Sequence, residues 1–363
     1  MYDRRRSLSL FGKACVPDAI ERATMTKRNP TRHHDGRKAA GIVFVSLSAL
    51  LGGMILMGIR MPGHSYREAL PPLTPAQAEL RSRLHQHIET LAGTIGERNL
   101  HHYSALQAAA RYLTEVFEAL GYQPVAHPYH VGSYLIENIE AVKPGAPETD
   151  EIIVVGAHYD SVRGSPGAND NASGVAALLE LARLLRAQPL SREVRFVAFV
   201  NEEPPYFYSD AMGSWRYALQ AAARGDRIEA MLSLETLGYY SAEANSQHYP
   251  FPFRLFYPSR GNFIGFVGNL RSRALVRQAI ASFRTSAAFP SEGVAAPGWL
   301  TGIGWSDHWS FWQAGYRAIM VTDTALFRYA PYHTPGDRPD RVDAESLARV
   351  VDGLRAVVLD LAK

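Results

Sequence analysis

Cysteine is almost absent: Cys15 is the only one in 363 residues. No disulfide can close within the chain, and thiol chemistry is excluded from everything after the N-terminal tail, so a metal here must be held by imidazole and carboxylate groups. There is no GxxxxGK[ST] loop to cradle phosphates and no GxSxG elbow to raise a nucleophilic serine. Repeats are missing, as is low-complexity sequence beyond the tail. Basic charge is also lacking where a nucleic-acid surface would need it. The net charge is +3, but residues 1–38 hold ten Lys or Arg against four Asp or Glu, leaving the other 325 residues at −3. The pI near 8.9 therefore belongs to the tail, and no nucleic-acid partner is expected.

Charge is absent altogether from one stretch. Residues 39–59, AAGIVFVSLSALLGGMILMGI, form an uncharged run of 21 residues, about 30 Å long at 1.5 Å per residue and able to span a bilayer. RHHDGRK precedes it, so the positive-inside rule puts the N-terminus in the cytoplasm. The expected organisation is a basic cytoplasmic tail (1–38), a transmembrane anchor (39–59), a linker rich in Pro and polar residues (60–74) and a folded domain (75–363). That domain would lie on the periplasmic or extracellular side of the cytoplasmic (inner) membrane, tethered by a single pass. A cleaved signal peptide fits less well, because RMPGHSYREA offers no small-x-small cleavage site. A start at Met25 would shorten the tail and keep the anchor.

An apolar content of 47% is enough for a large core. Helical spacing predicts helices over 75–92 and over YSALQAAARYLTEVFEALGY, stopped by Gly121. Strands are expected near 123–129 and 134–142. Strands and helices then alternate: EIIVVGAH, SGVAALLELARLLRA, EVRFVAFV, AMGSWRYALQAAA, AMLSLETL, and later RAIMVTD and AESLARVVDGLRAVVLDLA. Such alternation predicts an α/β fold whose sheet has parallel members covered on both faces.

Ligands of such sheets collect at the carboxyl ends of strands, and polar residues recur there. His158 and Asp160 end one strand, Asn201–Glu203 the next, Glu235 a third, and TDTALFRYAPYH leaves a fourth. Alone, His158 would read as a hydrogen-bonded loop residue and Asp170 as a helix cap. Glu202 and Glu203, adjacent after an apolar strand, would repel each other unless a cation sat nearby. Zinc takes imidazole and carboxylate ligands, and a two-metal site shares a bridging one. His158, Asp170, Glu203, Glu235 and His333 could supply such a site, with the Glu202 carboxylate left over.

GAHYDS, GANDNASG, NEE and a late YHTPGD, in that order, resemble the co-catalytic zinc exopeptidases of peptidase clan MH, typified by bacterial leucine aminopeptidases and glutamate carboxypeptidase II. The resemblance covers about residues 75–363. SLETLGYY, GNFIGFVGNLRSRALVR and GIGWSDHWSFW suggest a membrane-anchored bacterial branch. It implies a three-layer α/β/α sandwich with a mixed, mostly parallel sheet, of the phosphorylase/hydrolase-like kind, and a site of two zinc ions, with Mn or Co as alternatives. Asp170 would bridge both ions, His158 and Glu235 complete one, and Glu203 and His333 complete the other. Glu202 would be the general base acting on a metal-bound water, and Asp160 would fix the His158 tautomer. A cis peptide bond is implied after Asp170. Tyr239, Tyr240, Tyr329 and Tyr332 are candidate oxyanion donors, and Asp307 is expected near the metals or the substrate. His101, His102, His127 and His130 fall outside the motifs and read as structural or surface residues.

The implied activity is an exopeptidase, foremost an aminopeptidase acting on peptides or peptide-like substrates. In one departure, Glu235 stands where the family usually has Asp, which bears on the second ion. In another, EEPPYFYSDAMGS replaces a short turn and is expected to wall the substrate pocket. The loops around 204–214, 241–262 and 286–304 would set side-chain preference. The alternatives are a single-zinc glutaminyl cyclase, which would not need His158, and a non-catalytic module, which would not need every ligand kept.

Overall fold

The structure is a computed structural model; it describes residues 60–363 except Pro252, together with Gly53, Gly58 and Ile59. The predicted tail and nearly all of the predicted anchor lie outside the described residues. Among those described, no helix is long and apolar enough to cross a membrane.

A capping box starts the first helix. Thr74 Oγ1 accepts from the Gln77 N–H at 3.2 Å, Gln77 Oε1 accepts from the Thr74 N–H at 3.1 Å, and Pro75 occupies the first turn. Helix α1 (Pro75–Ile88) widens into a π-type turn at Glu89–Ile95. Helix α2 (Tyr103–Ala119) ends just before Gly121, whose φ of 82° supplies the left-handed stop. Strands β1 (Val125–Val131) and β2 (Tyr134–Lys143) form a hairpin, β1 starting two residues later than its pattern predicts. The alternating segments follow as β3 (Glu151–His158), α3 (Gly174–Leu185), β4 (Glu193–Phe199), α4 (Gly213–Arg224) and β5 (Arg227–Glu235). The rest is β6 (Ile264–Gly268), α5 (Arg273–Ser286), β7 (Ser291–Ala295), α6 (His308–Gln313), β8 (Ala318–Thr322) and α7 (Ala344–Leu361). Strands β6 and β7 and helices α5 and α6 have no counterpart in the sequence reading. Each of the two strands is five residues long and contains glycine, too little for a periodic signal.

The eight strands form one sheet in the order β1-β2-β4-β3-β5-β8-β6-β7. Pairing is parallel at β4/β3, β3/β5, β5/β8 and β6/β7, and antiparallel at β1/β2, β2/β4 and β8/β6. The central strands are apolar on both faces because both faces are covered. Along β3, Ile153, Val155 and Ala157 join the core that packs α1, α2, α3, α5 and α7, while Ile152 and Val154 join the core under α4 and α6. This is the expected three-layer sandwich. The predicted linker is not free along its length: Ser65 Oγ accepts from the Ser291 N–H at 2.9 Å, and Arg284 Nη1 donates to the Pro62 carbonyl at 2.9 Å, so this segment covers the edge strand β7.

The chain leaves β3 toward β4 and β5 toward β8, so a switch point lies between β3 and β5 and opens a crevice at their carboxyl ends. Close packing of α3 against this crevice depends on Gly174, where a Cβ would overlap the Asn171 side-chain oxygen and the Leu234 carbonyl. Gly174→Ala should destabilise the protein by about 1–3 kcal/mol, read as a lower urea midpoint at unchanged m-value.

Candidate metal centre

His158, the last residue of β3, is fully buried, and Asp160 follows two residues on. The Asp160 carboxylate accepts the backbone N–H groups of Glu202 and Glu203, each at 3.2 Å, and so ties the exit of β4 to the exit of β3. His158 Nδ1 lies 3.6 Å from Asp160 Oδ1, beyond a hydrogen bond. Asp160 Oδ1 thus stands beside the imidazole while the two carboxylate oxygens take the Glu202 and Glu203 amides.

Asp170 lies on a loop pinned from three sides. Asp337 accepts the N–H groups of Asn169 (2.8 Å) and Asp170 (3.0 Å) and also the Tyr329 hydroxyl (2.9 Å). Asn171 donates to the Leu234 carbonyl at 2.8 Å and accepts from the Thr236 N–H at 3.0 Å, fastening the loop to the end of β5. Asn169 donates to Asp323 at 2.9 Å, just past β8. The Asp170–Asn171 bond is cis, as the resemblance implies. Behind the loop, fully buried Arg98 donates to the carbonyls of Tyr159 (2.6 Å) and Gly167 (2.8 Å). Gly167, with φ of 63°, leaves no room for a Cβ between Ser161 and the Asp170 carbonyl.

The side chains converge. Asp170 Oδ1 is 3.4 Å from His158 Nε2, and Asp170 Oδ2 is 3.0 Å from His333 Nε2. His158 Nε2 also lies 3.3 Å from Glu235 Oε2 and 3.8 Å from Glu202 Oε2, while His333 Nε2 is 3.2 Å from Glu203 Oε2. Among the described residues, two groups have ligand atoms within 4.8 Å of one another: His158, Asp170 and Glu203, and His158, Glu202 and Glu235. Yet both ring nitrogens of His158, Asp170 Oδ2 and His333 Nε2 are buried without a hydrogen-bond partner. Buried polar atoms without partners are costly, and these ones face a shared centre.

Charge points the same way. Burial and the neighbouring Asp170 push Glu203 up to about 8, and burial lifts Glu202 and Glu235 as well. Burial opposes a charge on His333, but Asp170 and Glu203 override it and raise its pKa to about 10. Burial would also raise Asp170, yet the two imidazoles hold it well below the usual carboxylate range. Carboxylates outnumber cations here, and the imidazole and carboxylate donors fit zinc in type.

Glu235 is braced by Ser306 Oγ at 2.8 Å, which in turn bonds Ser233 Oγ at 2.8 Å. Its extra methylene relative to aspartate is accommodated with the carboxylate still facing His158. The SDH segment therefore touches a site residue through Ser306; Asp307 is fully buried beside it, and burial raises its pKa to about 7. The Tyr240 hydroxyl is committed to the Leu237 carbonyl and that of Tyr329 to Asp337. Tyr332 stacks on His333 at 3.9 Å, and burial beside four site carboxylates holds its phenol protonated. The insertion after Glu203 stacks Phe207, Tyr208, Trp309 and Trp215 in a row. Its Tyr208 lines an aromatic depression with Trp299, Trp305 and Trp309, whereas the cavity beside Glu235 is lined by the 241–262 and 286–304 loops. His127 lies 3.4 Å from Glu140 across the β1/β2 hairpin. Arg98, Asp337 and Ser306 escaped sequence reasoning. Asp337 and Ser306 stood within recognised motifs, whereas Arg98 had no signal at all.

An α/β/α sandwich with buried imidazoles and carboxylates at its strand ends is the framework of a metal-dependent hydrolase. The chain belongs to peptidase family M28, whose profile matches residues 138–358. It is 39% identical over 292 residues to the Escherichia coli K12 protein named Uncharacterized protein YfbL, covering 78% of this chain and 88% of that one. It is 32% identical over 235 residues to aminopeptidase YwaD of Bacillus subtilis, covering 62% of this chain but 45% of YwaD. Its fold matches BSAP, a zinc aminopeptidase from Bacillus subtilis, with a TM-score of 0.62 at 18% identity over 78% of this chain and 95% of that one. It also matches a glutaminyl cyclase from Fimbriiglobus ruber, with a TM-score of 0.59 at 20% identity over 82% and 100%. At those identities the likeness is one of fold.

Replacing Asp337 by Asn removes one of the two acceptors that hold the Asn169–Asp170 backbone. Zinc affinity should fall about 10–100-fold, as measured by competition with a chelating dye. Zinc loading should also raise the unfolding midpoint of the wild type, and a chelator should reverse the gain.

Proposed function

We propose that this chain is a zinc-dependent aminopeptidase in which His158, Asp170, Glu203, Glu235 and His333 would hold two ions, Asp170 being shared, His158 and Glu235 serving one and Glu203 and His333 the other. One observation carries the reading: the two oxygens of Asp170 face two different imidazoles, amid buried nitrogen and oxygen atoms without partners. Zinc bound there would polarise a peptide carbonyl and make water acidic at neutral pH; Mn²⁺ or Co²⁺ would suit the same donors.

The chain's own residues supply the rest. Glu202 has no side-chain hydrogen bond among the described residues and is free to take a proton and return it to the leaving amine. Asp160, through the Glu202 and Glu203 amides, sets where both carboxylates stand. Tyr332, its phenol protonated, is the donor for the developing oxyanion. Membership of family M28 and the match to aminopeptidase YwaD support peptide hydrolysis from the N-terminus. The cyclase alternative shares the fold, but it leaves His158 and Glu235 without a purpose. Residues 39–59 would anchor the chain in the cytoplasmic membrane with the basic tail inside, so that peptides on the outer side are the substrates.

The test uses the detergent-solubilised full chain, loaded with zinc, on a short peptide with a free or an acetylated N-terminus. Acetylation should abolish cleavage; equal cleavage of both peptides overturns the aminopeptidase reading. Glu202→Gln should lower kcat by about 10²–10⁴-fold while metal analysis still finds two zinc ions per chain.

A further inference from the structure

The uncharged run that ends at Ile59 joins the folded domain at a defined place. Gly58 and Ile59 are helical. From Ser65 back to Gly58 the chain follows β7 toward its carboxyl end. Ser65 Oγ accepts from the Ser291 N–H, Met61 Sδ lies 3.1 Å from where a Cβ on Gly293 would stand, and a Cβ on Gly58 would lie 2.5 Å from the Ala295 carbonyl oxygen. Arg277 of α5 donates to the Arg60 carbonyl. No spacer therefore separates the run from the domain. Ala295 pairs with Gly268 and Gly268 with Ile319, while Thr322, at the far end of β8, pairs with Glu235. Because β6 and β7 run against β8, the run meets the sheet at the end away from the candidate metal centre.

The surface at this end combines exposed apolar groups with basic charge. Trp299 is 83% exposed and Leu270 56%. They sit on adjoining turns, since a Cβ on Gly298 would lie 3.9 Å from that of Asn269. Residues 261–291 hold four arginines and no Asp or Glu, and 293–306 carry no charge of either sign. Arg271 is exposed, and Arg273 and Arg277 share one face of α5 next to Arg60. Glu229, which lines a crevice with Ala274 and Gln278 of α5, is already paired with Arg317. Tryptophan is suited to the headgroup level of a bilayer, and arginines close to it are drawn to anionic lipids. A second copy packed on this face about a two-fold axis would set arginine against arginine.

We propose that this end of the domain lies on the outer leaflet of the membrane that residues 39–59 cross, with Trp299 and Leu270 at headgroup level and Arg60, Arg271, Arg273 and Arg277 against anionic headgroups. The proposal rests on the anchor reading and goes beyond it. The metal centre then opens away from the bilayer, toward peptides in solution.

The test reconstitutes the full chain into vesicles of phosphatidylcholine, alone or mixed with phosphatidylglycerol, whose acyl chains are brominated near the headgroup. Tryptophan fluorescence should be quenched, more so with phosphatidylglycerol, and Trp299→Phe should remove most of the quenching. The double variant Arg271→Glu, Arg273→Glu should abolish the difference between the two lipids. Both variants should keep the wild-type unfolding midpoint in detergent. Vesicles that carry the chain on flotation without quenching it, or quenching that Trp299→Phe leaves unmoved, overturn the proposal while the anchor stands. A cross-linked dimer through Trp299→Cys overturns it in favour of a second copy. Equal quenching in both lipids overturns the role of the arginines. If the chain does not float with vesicles, the anchor reading falls and this proposal falls with it, whereas the aminopeptidase reading is untouched.

Discussion

A surplus of buried negative charge at the carboxyl ends of β3, β4 and β5 is the constraint around which the molecule is arranged. Asp160, Asp170, Glu202, Glu203, Glu235 and Asp307 are all buried, against His158, Arg98 and the half-buried His333. Each uncompensated ion would cost several kcal/mol. The fold meets part of that cost with backbone N–H groups: Asp160 takes those of Glu202 and Glu203, and Asp337 those of Asn169 and Asp170. Arg98 contributes a fixed positive charge behind the Asp170 loop. The remainder falls to whatever cation the open ligand atoms receive.

Holding that charge in place shapes the backbone around it. Asn201, Thr236, Thr324 and His333 all adopt positive φ, and the first three lie one or two residues beyond the ends of β4, β5 and β8. Non-glycine residues in this region are uncommon, and they concentrate where surrounding structure over-determines the conformation. Around Thr236 that structure is the hydrogen-bonded net of Asn169, Asn171, Asp323 and Asp337. That net joins the exits of β5 and β8 to the Asp170 loop, so groups far apart in the chain are set within ångströms of one another.

The sandwich was legible because its central strands are long, apolar and bounded by helices of clear periodicity. The far side of the sheet was not. β6 and β7 are short and interrupted by glycine, and their strand character comes from pairing with β8 and with each other. Residues of these strands line the cavity beside Glu235, so its lining was invisible in one dimension. Tyr332 was one of four tyrosines the sequence could not rank; contacts commit the hydroxyls of Tyr240 and Tyr329 elsewhere, pack the Tyr239 ring against Tyr329 and set Tyr332 against the imidazole of His333.

The sequence by itself determined the fold class, the absence of thiol chemistry and the set of imidazoles and carboxylates available to a metal, because residue type and strand-end position are local properties. Only the tertiary structure decided how those groups face one another: that Asp170 looks toward two imidazoles, that Asp160 serves the Glu202 and Glu203 amides, and that Ser306 steadies Glu235. Those are relations between segments tens to more than a hundred residues apart. They are set by strand order, which no local pattern encodes.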